Sequence, residues 1–117
     1  MSNVTRTSPL VSPHVNVAAN PSTATDTELV AAATNAKYRV LSVAIVTTAA
    51  NNVLFKSGTS AISATFPLGA NGGIVLPFNE HGWFETTAGQ ALNFTTSAAT
   101  ACGVQVQYIK LPVQQNG

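Results

Sequence analysis

Leu68 to Phe94 reads LGANGGIVLPFNEHGWFETTAGQALNF, and its punctuation decides the fold class. Asn71-Gly72 is the strongest short turn signal in the chain, because both residue types tolerate positive φ. Beyond it Ile74, Leu76 and Phe78 recur at every second position, the period of a strand with one face turned inward. Asn79 to Gly82 is polar, Trp83-Phe84 opens a short extended piece, and Thr87-Ala88-Gly89-Gln90 turns the chain again. Leu92 and Phe94 then point one way, Asn93 and Thr95 the other. The stretch has no helical period, so it predicts strand, turn, strand.

The same period extends outward in both directions. Tyr38 to Thr48 is the strongest strand signal, with Arg39, Leu41, Val43 and Ile45 on one face and Val40, Ala44 and Val46 on the other. Both faces are largely apolar, which predicts a central strand covered on both sides. Glu28 to Ala33 reads as a weaker first strand. Asn51-Asn52 marks a turn; Val53 and Phe55 then oppose Leu54 and Lys56, and Gly58 closes that hairpin. Ile62, Ala64, Phe66 and Leu68 alternate against Ser63 and Thr65. The last strand runs from Gly103 to Leu111, with Val104, Val106 and Tyr108 inward and Gln105 and Gln107 outward. These elements predict an all-β chain closed as a sandwich of about seven or eight short antiparallel strands, of jelly-roll type. Residues 1–27 read differently. Pro9, Pro13 and Pro21 sit among Ser, Thr and Asn, the composition of an extended arm, in which His14-Val15-Asn16-Val17 alternates enough to add one strand at a sheet edge. The organisation expected is therefore an arm over 1–27, a sandwich over 28–112 and a polar tail over 113–117.

Composition narrows the function. The chain has 117 residues, room for one domain, and only 8% are charged, against about 25% in an average soluble domain. A net charge of +1 provides no field to attract nucleic acid or an anionic membrane. A surface so poor in charge is weakly protected against association, so a chain that works in an assembly is expected. The single cysteine, Cys102, excludes an intrachain disulfide, and its small and apolar neighbours predict a buried, inert thiol. MSNVTRTSPL lacks the apolar core of a signal peptide, and the run Val40 to Val46 is far short of a membrane span. Synthesis and assembly in a cytoplasm are expected.

The material for a reactive site is sparse. His14, His81, Glu80 and Glu85 are the residues that could build one, and Glu80-His81 with Glu85 can be drawn as a metal cluster. A zinc site needs three or four convergent ligands, whereas adjacent residues on a strand point to opposite faces. A solvated loop is the expectation. No serine lies in a nucleophile elbow, and Asn71-Gly72-Gly73 lacks the lysine and helix of a phosphate loop. No enzyme, metal or cofactor is expected. Most aromatics fall on inward positions; Trp83, beside a glycine in a polar loop, is open to three roles: core packing, a subunit contact, or stacking on a sugar.

Over residues 38–111 the framework resembles the small β-sandwich decoration (cement) proteins of tailed bacteriophage heads. The resemblance is carried by Tyr38-Arg39-Val40-Leu41-Ser42 and Phe55-Lys56-Ser57-Gly58, then by Pro67-Leu68 through Gly72-Gly73-Ile74-Val75-Leu76-Pro77. It continues in Gly82-Trp83-Phe84-Glu85-Thr86 and Gly89-Gln90-Ala91-Leu92. Related sandwiches also occur in phage tail and fibre proteins. The resemblance implies a virion protein that binds the outer surface of an expanded shell, often as a homotrimer, and bridges neighbouring major capsid subunits. On this reading the contacts come from Val15 and Val17 of the arm, from the broad strand that opens at Tyr38, and from Trp83 and Phe84. The alternative partner is a carbohydrate, bound by a fibre-type module through Trp83.

Overall fold

A computed structural model of the chain describes residues 14–112; the remainder of the expected arm, with Pro9 and Pro13, and the 113–117 tail lie outside the described residues. Ten strands and no helix make up the described chain: β1 (Val15–Ala19), β2 (Asp26–Val30), β3 (Ala36–Thr47), β4 (Asn51–Ser57), β5 (Ser60–Ala61), β6 (Phe66–Leu68), β7 (Gly73–Leu76), β8 (Phe84–Glu85), β9 (Leu92–Thr96) and β10 (Cys102–Pro112). One sheet has the order β1-β10-β3-β7, with β8 also on β3; the other has β2-β9-β4-β5, with β6 also on β4. All pairings are antiparallel. β1 with β10, β2 with β9, β3 with β7, and β4 with β5 and β6 pair as one long hairpin, rolled so that β10 also meets β3 and β9 meets β4. That is a jelly-roll arrangement, built from ten strands rather than the expected seven or eight.

Between the sheets lies one core of Val40, Val43, Ile45, Val53, Phe55, Leu92, Phe94, Val104 and Val106 with their neighbours. Phe55 stacks at 5.1 Å from both Phe84 and Phe94. β3 can run for so long at its centre because Val40, Val43, Ile45, Val46 and Thr47 are β-branched and fit a pleated surface. The inward positions of β4, β9 and β10 match the expected alternation.

Five expectations are corrected. The faces of β3 do not alternate throughout. Its pairing with β10 passes from Ser42↔Gln107 to Val40↔Tyr108, leaving Leu41 as an extra residue. This bulge flips the phase: Tyr38 and Val40 face the core before it, Val43 and Ile45 after it, and Arg39 faces outward. Asn51 is not a turn residue. It opens β4, is buried, and its Oδ1 accepts the Ser97 and Ala98 amides at 3.1 Å while Nδ2 donates to Thr100 Oγ1 at 3.0 Å. Phe78, expected inward, lies beyond the end of β7 and is 54% exposed. Ala64 is exposed outside any strand and Phe66 only half-buried. The N-terminal boundary also moves. β1 and the start of β2 fall within 1–27, so among the described residues the sandwich begins at Val15, and the first strand of the second sheet is Asp26–Val30 rather than Glu28–Ala33.

Candidate interaction surface

The sheet β1-β10-β3-β7 turns its second face outward. Ala18, Ala44, Val46, Val75 and Gln105 are exposed there, Val46 by 61% and Val75 by 69%. They follow from the period: each alternates with an inward neighbour such as Ile45 or Ile74, and small or uncharged residues occupy the outward positions. Shallow depressions on this face are lined by Ala18, Ala44, Val46 and Gln105, and by Asn16, Ser42, Val75 and Gln107. From Ser42 to Val46, from Gly73 to Leu76 and from Gly103 to Gln107 no charged side chain occurs. Over Val43 to Val46 both faces of β3 are thus apolar as expected, but the second is uncovered.

Charge gathers at the other end of the same face. The 77–86 segment is laced along β3: Asn79 N donates to Leu41 O, Trp83 N to Val40 O and Thr86 N to Tyr38 O, at 2.8–3.0 Å. Gly82 holds φ +83° there, and a Cβ on it would lie 2.4 Å from Arg39 Cγ, so the close pass over Arg39 requires glycine. The lacing brings Glu85 between Lys37 Nζ at 2.8 Å and Arg39 Nε at 2.6 Å. Burial alone would push the Glu85 carboxyl up, but the hydrogen bonds and charges of Lys37 and Arg39 outweigh it and hold the group below its ordinary value.

The sequence-named contacts do not converge on one place. Trp83 is 41% exposed and donates its indole N–H to Pro77 O at 2.8 Å, which fixes the ring against the loop that also carries Phe78. His14 stacks on Phe78 with ring centres 5.6 Å apart. Phe84 is half-buried on Phe55. Val15 is partly exposed on the edge strand β1, and Val17 packs against the core. Tyr38 is corrected: it is 3% exposed, its hydroxyl donates to Ala31 O at 2.6 Å and its ring meets Tyr108 edge-on, so it has no surface to offer a partner. The residues with most to offer, Val46 and Val75, were passed over singly. The signal for them is the absence of any charge between Arg39 and Lys56, around Val46, and between Lys56 and Glu80, around Val75.

No reactive cluster forms among the described residues. No group of three or more His, Cys, Asp or Glu side chains could hold a metal ion. The His81 ring meets Glu80 at 3.8 Å on an open loop, while Glu85 is engaged elsewhere. Cys102 is buried and desolvation pushes its thiol up, as expected for an inert cysteine.

No protein-family model matches the chain, and no curated protein is similar to it. Among solved structures it is similar to a chain described in work on Bacillus endospore appendages that form a novel family of disulfide-linked pili. Identity there is 13% and the TM-score 0.45, over 97% of this chain and 100% of that one. A likeness at that level carries no argument about function.

Proposed function

We propose that this chain is a structural virion protein that binds the outer surface of a phage capsid and cements neighbouring major capsid subunits. The observation that carries a binding rather than a catalytic role is the outward face of β1-β10-β3-β7, uncharged around Val46 and Val75 and exposed on a rigid sheet. Faces of this kind are what assembled subunits bury, since the centre of an interface is depleted in charge. The capsid as the partner rests on the resemblance of residues 38–111 to phage decoration proteins. The free energy of binding is then the function, and no residue need carry a reaction.

The test is co-sedimentation of the purified protein with expanded shells of the phage that encodes it, using wild type and Val46→Glu. Val46 is solvent-facing, so a carboxylate there leaves the fold intact but must be desolvated on attachment. Wild type is expected to pellet with shells at low and high salt alike, because no ion pair is involved, and the variant to stay in the supernatant. Wild type remaining unbound, or the variant binding equally well, counts against the proposal. A second reading, a carbohydrate-binding fibre module, is favoured by the loop that presents Phe78 and Trp83 beside the exposed Glu80 and His81. Glycan binding abolished by Trp83→Ala would favour that reading.

A further inference from the structure

The four sheet edges of this sandwich are not treated alike. Edge strands offer unpaired backbone groups, and proteins that must stay apart blunt them with charge, proline, bulges or shortness. The second sheet uses all of these. β2 carries Asp26 and Glu28 and shifts register between Glu28 and Val30, β5 has two residues, and β6 contains Pro67. β7, at the edge of the other sheet, is four residues long but carries no charge, proline or bulge, and no charged residue lies anywhere from Ser57 to Asn79. β1 is also uncharged, but a two-fold axis there would bring Asp26 and Glu28 of the adjoining β2 towards their own copies.

The phase of β7 is fixed by one bond. Thr47 N donates to Gly72 O at 2.9 Å, and the register pairs Val46 with Gly73, Ile45 with Ile74, Ala44 with Val75 and Val43 with Leu76. Bonded and non-bonded pairs alternate in an antiparallel ladder. Ile74 and Leu76 therefore spend their backbone groups on β3, while the N–H and C=O of Gly73 and Val75 point to the open edge. Neither residue has a hydrogen-bond partner on that side among the described residues. The edge then stops. Pro77 has no N–H, and its carbonyl already accepts the Trp83 indole.

We infer that β7 pairs antiparallel with β7 of a second copy of this chain, about a two-fold axis at Ile74, joining two sandwiches through one continuous sheet. In that register Gly73 N–H and C=O meet Val75 C=O and N–H of the other copy, twice over by symmetry, and every open group of the edge is used. A register centred on Val75 would instead oppose Gly73 to Pro77, which has no N–H to donate to the Gly73 carbonyl. Side chains agree: each outward Val75 lies opposite a Gly73 with no side chain, and the two half-buried Ile74 side chains meet on the core side. Such a contact is isologous and closes at two copies; a trimer would require a different surface. The inference rests on the edge of β7 and not on a capsid as partner. It would, however, extend the uncharged outer face across both copies.

Cysteine cross-linking and solution mass test it. Ile74→Cys would place two thiols at a non-bonded pair, about 4.5 Å apart at Cα and within disulfide reach. In Val75→Cys the two thiols sit diagonally, beyond that reach. Mild oxidation of the full chain is expected to convert Ile74→Cys, and not Val75→Cys, to a covalent dimer on a non-reducing gel. Light scattering on wild type should give twice the chain mass. Val75→Pro removes only an edge-facing N–H and Val75→Lys adds an outward charge, so both should give the single-chain mass with an unchanged β circular dichroism spectrum. A wild-type monomer, a trimer, an assembly that survives both Val75 substitutions, or equal cross-linking by the two cysteine variants would each overturn the inference. Because no shell is present, failure here is separate from failure to bind a capsid.

Discussion

Phe94 is sealed between the sheets against Phe55, whereas Phe66, on the three-residue β6, keeps part of its ring at the surface. Both occupy inward positions of the sequence pattern, so the pattern alone would make them equal. Burial separates them. Phe94→Ala should lower stability by about 3–5 kcal/mol, the usual cost of a buried aromatic truncation, and Phe66→Ala by only about 1–2 kcal/mol. Urea unfolding of the two variants checks the order, and equal losses would place Phe66 in the core after all. Glu85 gives a different kind of residue-level prediction. Its folded carboxyl is held below the ordinary value, so its contribution is complete above the unfolded carboxyl pKa of about 4.3. That contribution is lost as pH falls through the lower folded value. Glu85→Gln should flatten that part of the acid limb when urea midpoints are plotted against pH; superimposable limbs for variant and wild type would contradict the triad of Lys37, Glu85 and Arg39.

Elements were legible in proportion to how cleanly they alternate. β4, β9 and β10 stand where period two places them, because their outward residues, such as Asn93, Gln105 and Gln107, are polar enough to mark the faces. β3 shows the limit. With apolar residues at 40, 41, 43, 44, 45 and 46, nothing in the sequence marks Leu41 as the extra residue, and the phase flip became visible only through its pairing with β10. Phe78 departs from its expected inward place for a related reason: Pro77 ends the ladder, so the period continues in the sequence after the strand has stopped. The candidate surface was half legible. Low charge predicts a chain that works in an assembly, but which face would be covered depends on sheet order, which no local pattern contains. The Asn51-Asn52 pair reads as a turn because asparagines favour turns, yet Asn51 ties the start of β4 to the 97–100 turn between β9 and β10. Asn51→Ala would strand the Ser97 and Ala98 amides, and a loss of about 2–3 kcal/mol in thermal or urea unfolding is expected. Near-neutral behaviour would mean that water replaces the side chain.

At the scale of the whole molecule, the rolled hairpin distributes its roles by side. The flank of β2 carries acidic residues and a register irregularity, the flank of β7 is uncharged, and the outward face of the sheet between β1 and β7 is exposed and uncharged around Val46 and Val75. On the proposed pairing through β7, the molecule would resist association along one flank and permit it along the other. The pairing of β1 with β10 adds a mechanical property. β1 begins at Val15 opposite Tyr108, and β10 continues past that point to Pro112, so the described chain enters and leaves at the same end of the sheet. Tension applied between His14 and Pro112 would load the β1–β10 hydrogen bonds one pair at a time, starting at Val15, and peel β1 away like a zip. A load applied along the face, through Val46 or Val75, would be shared across parallel bonds of the β3 ladders. The same fold is therefore soft when pulled by its ends and stiff when pulled by its face.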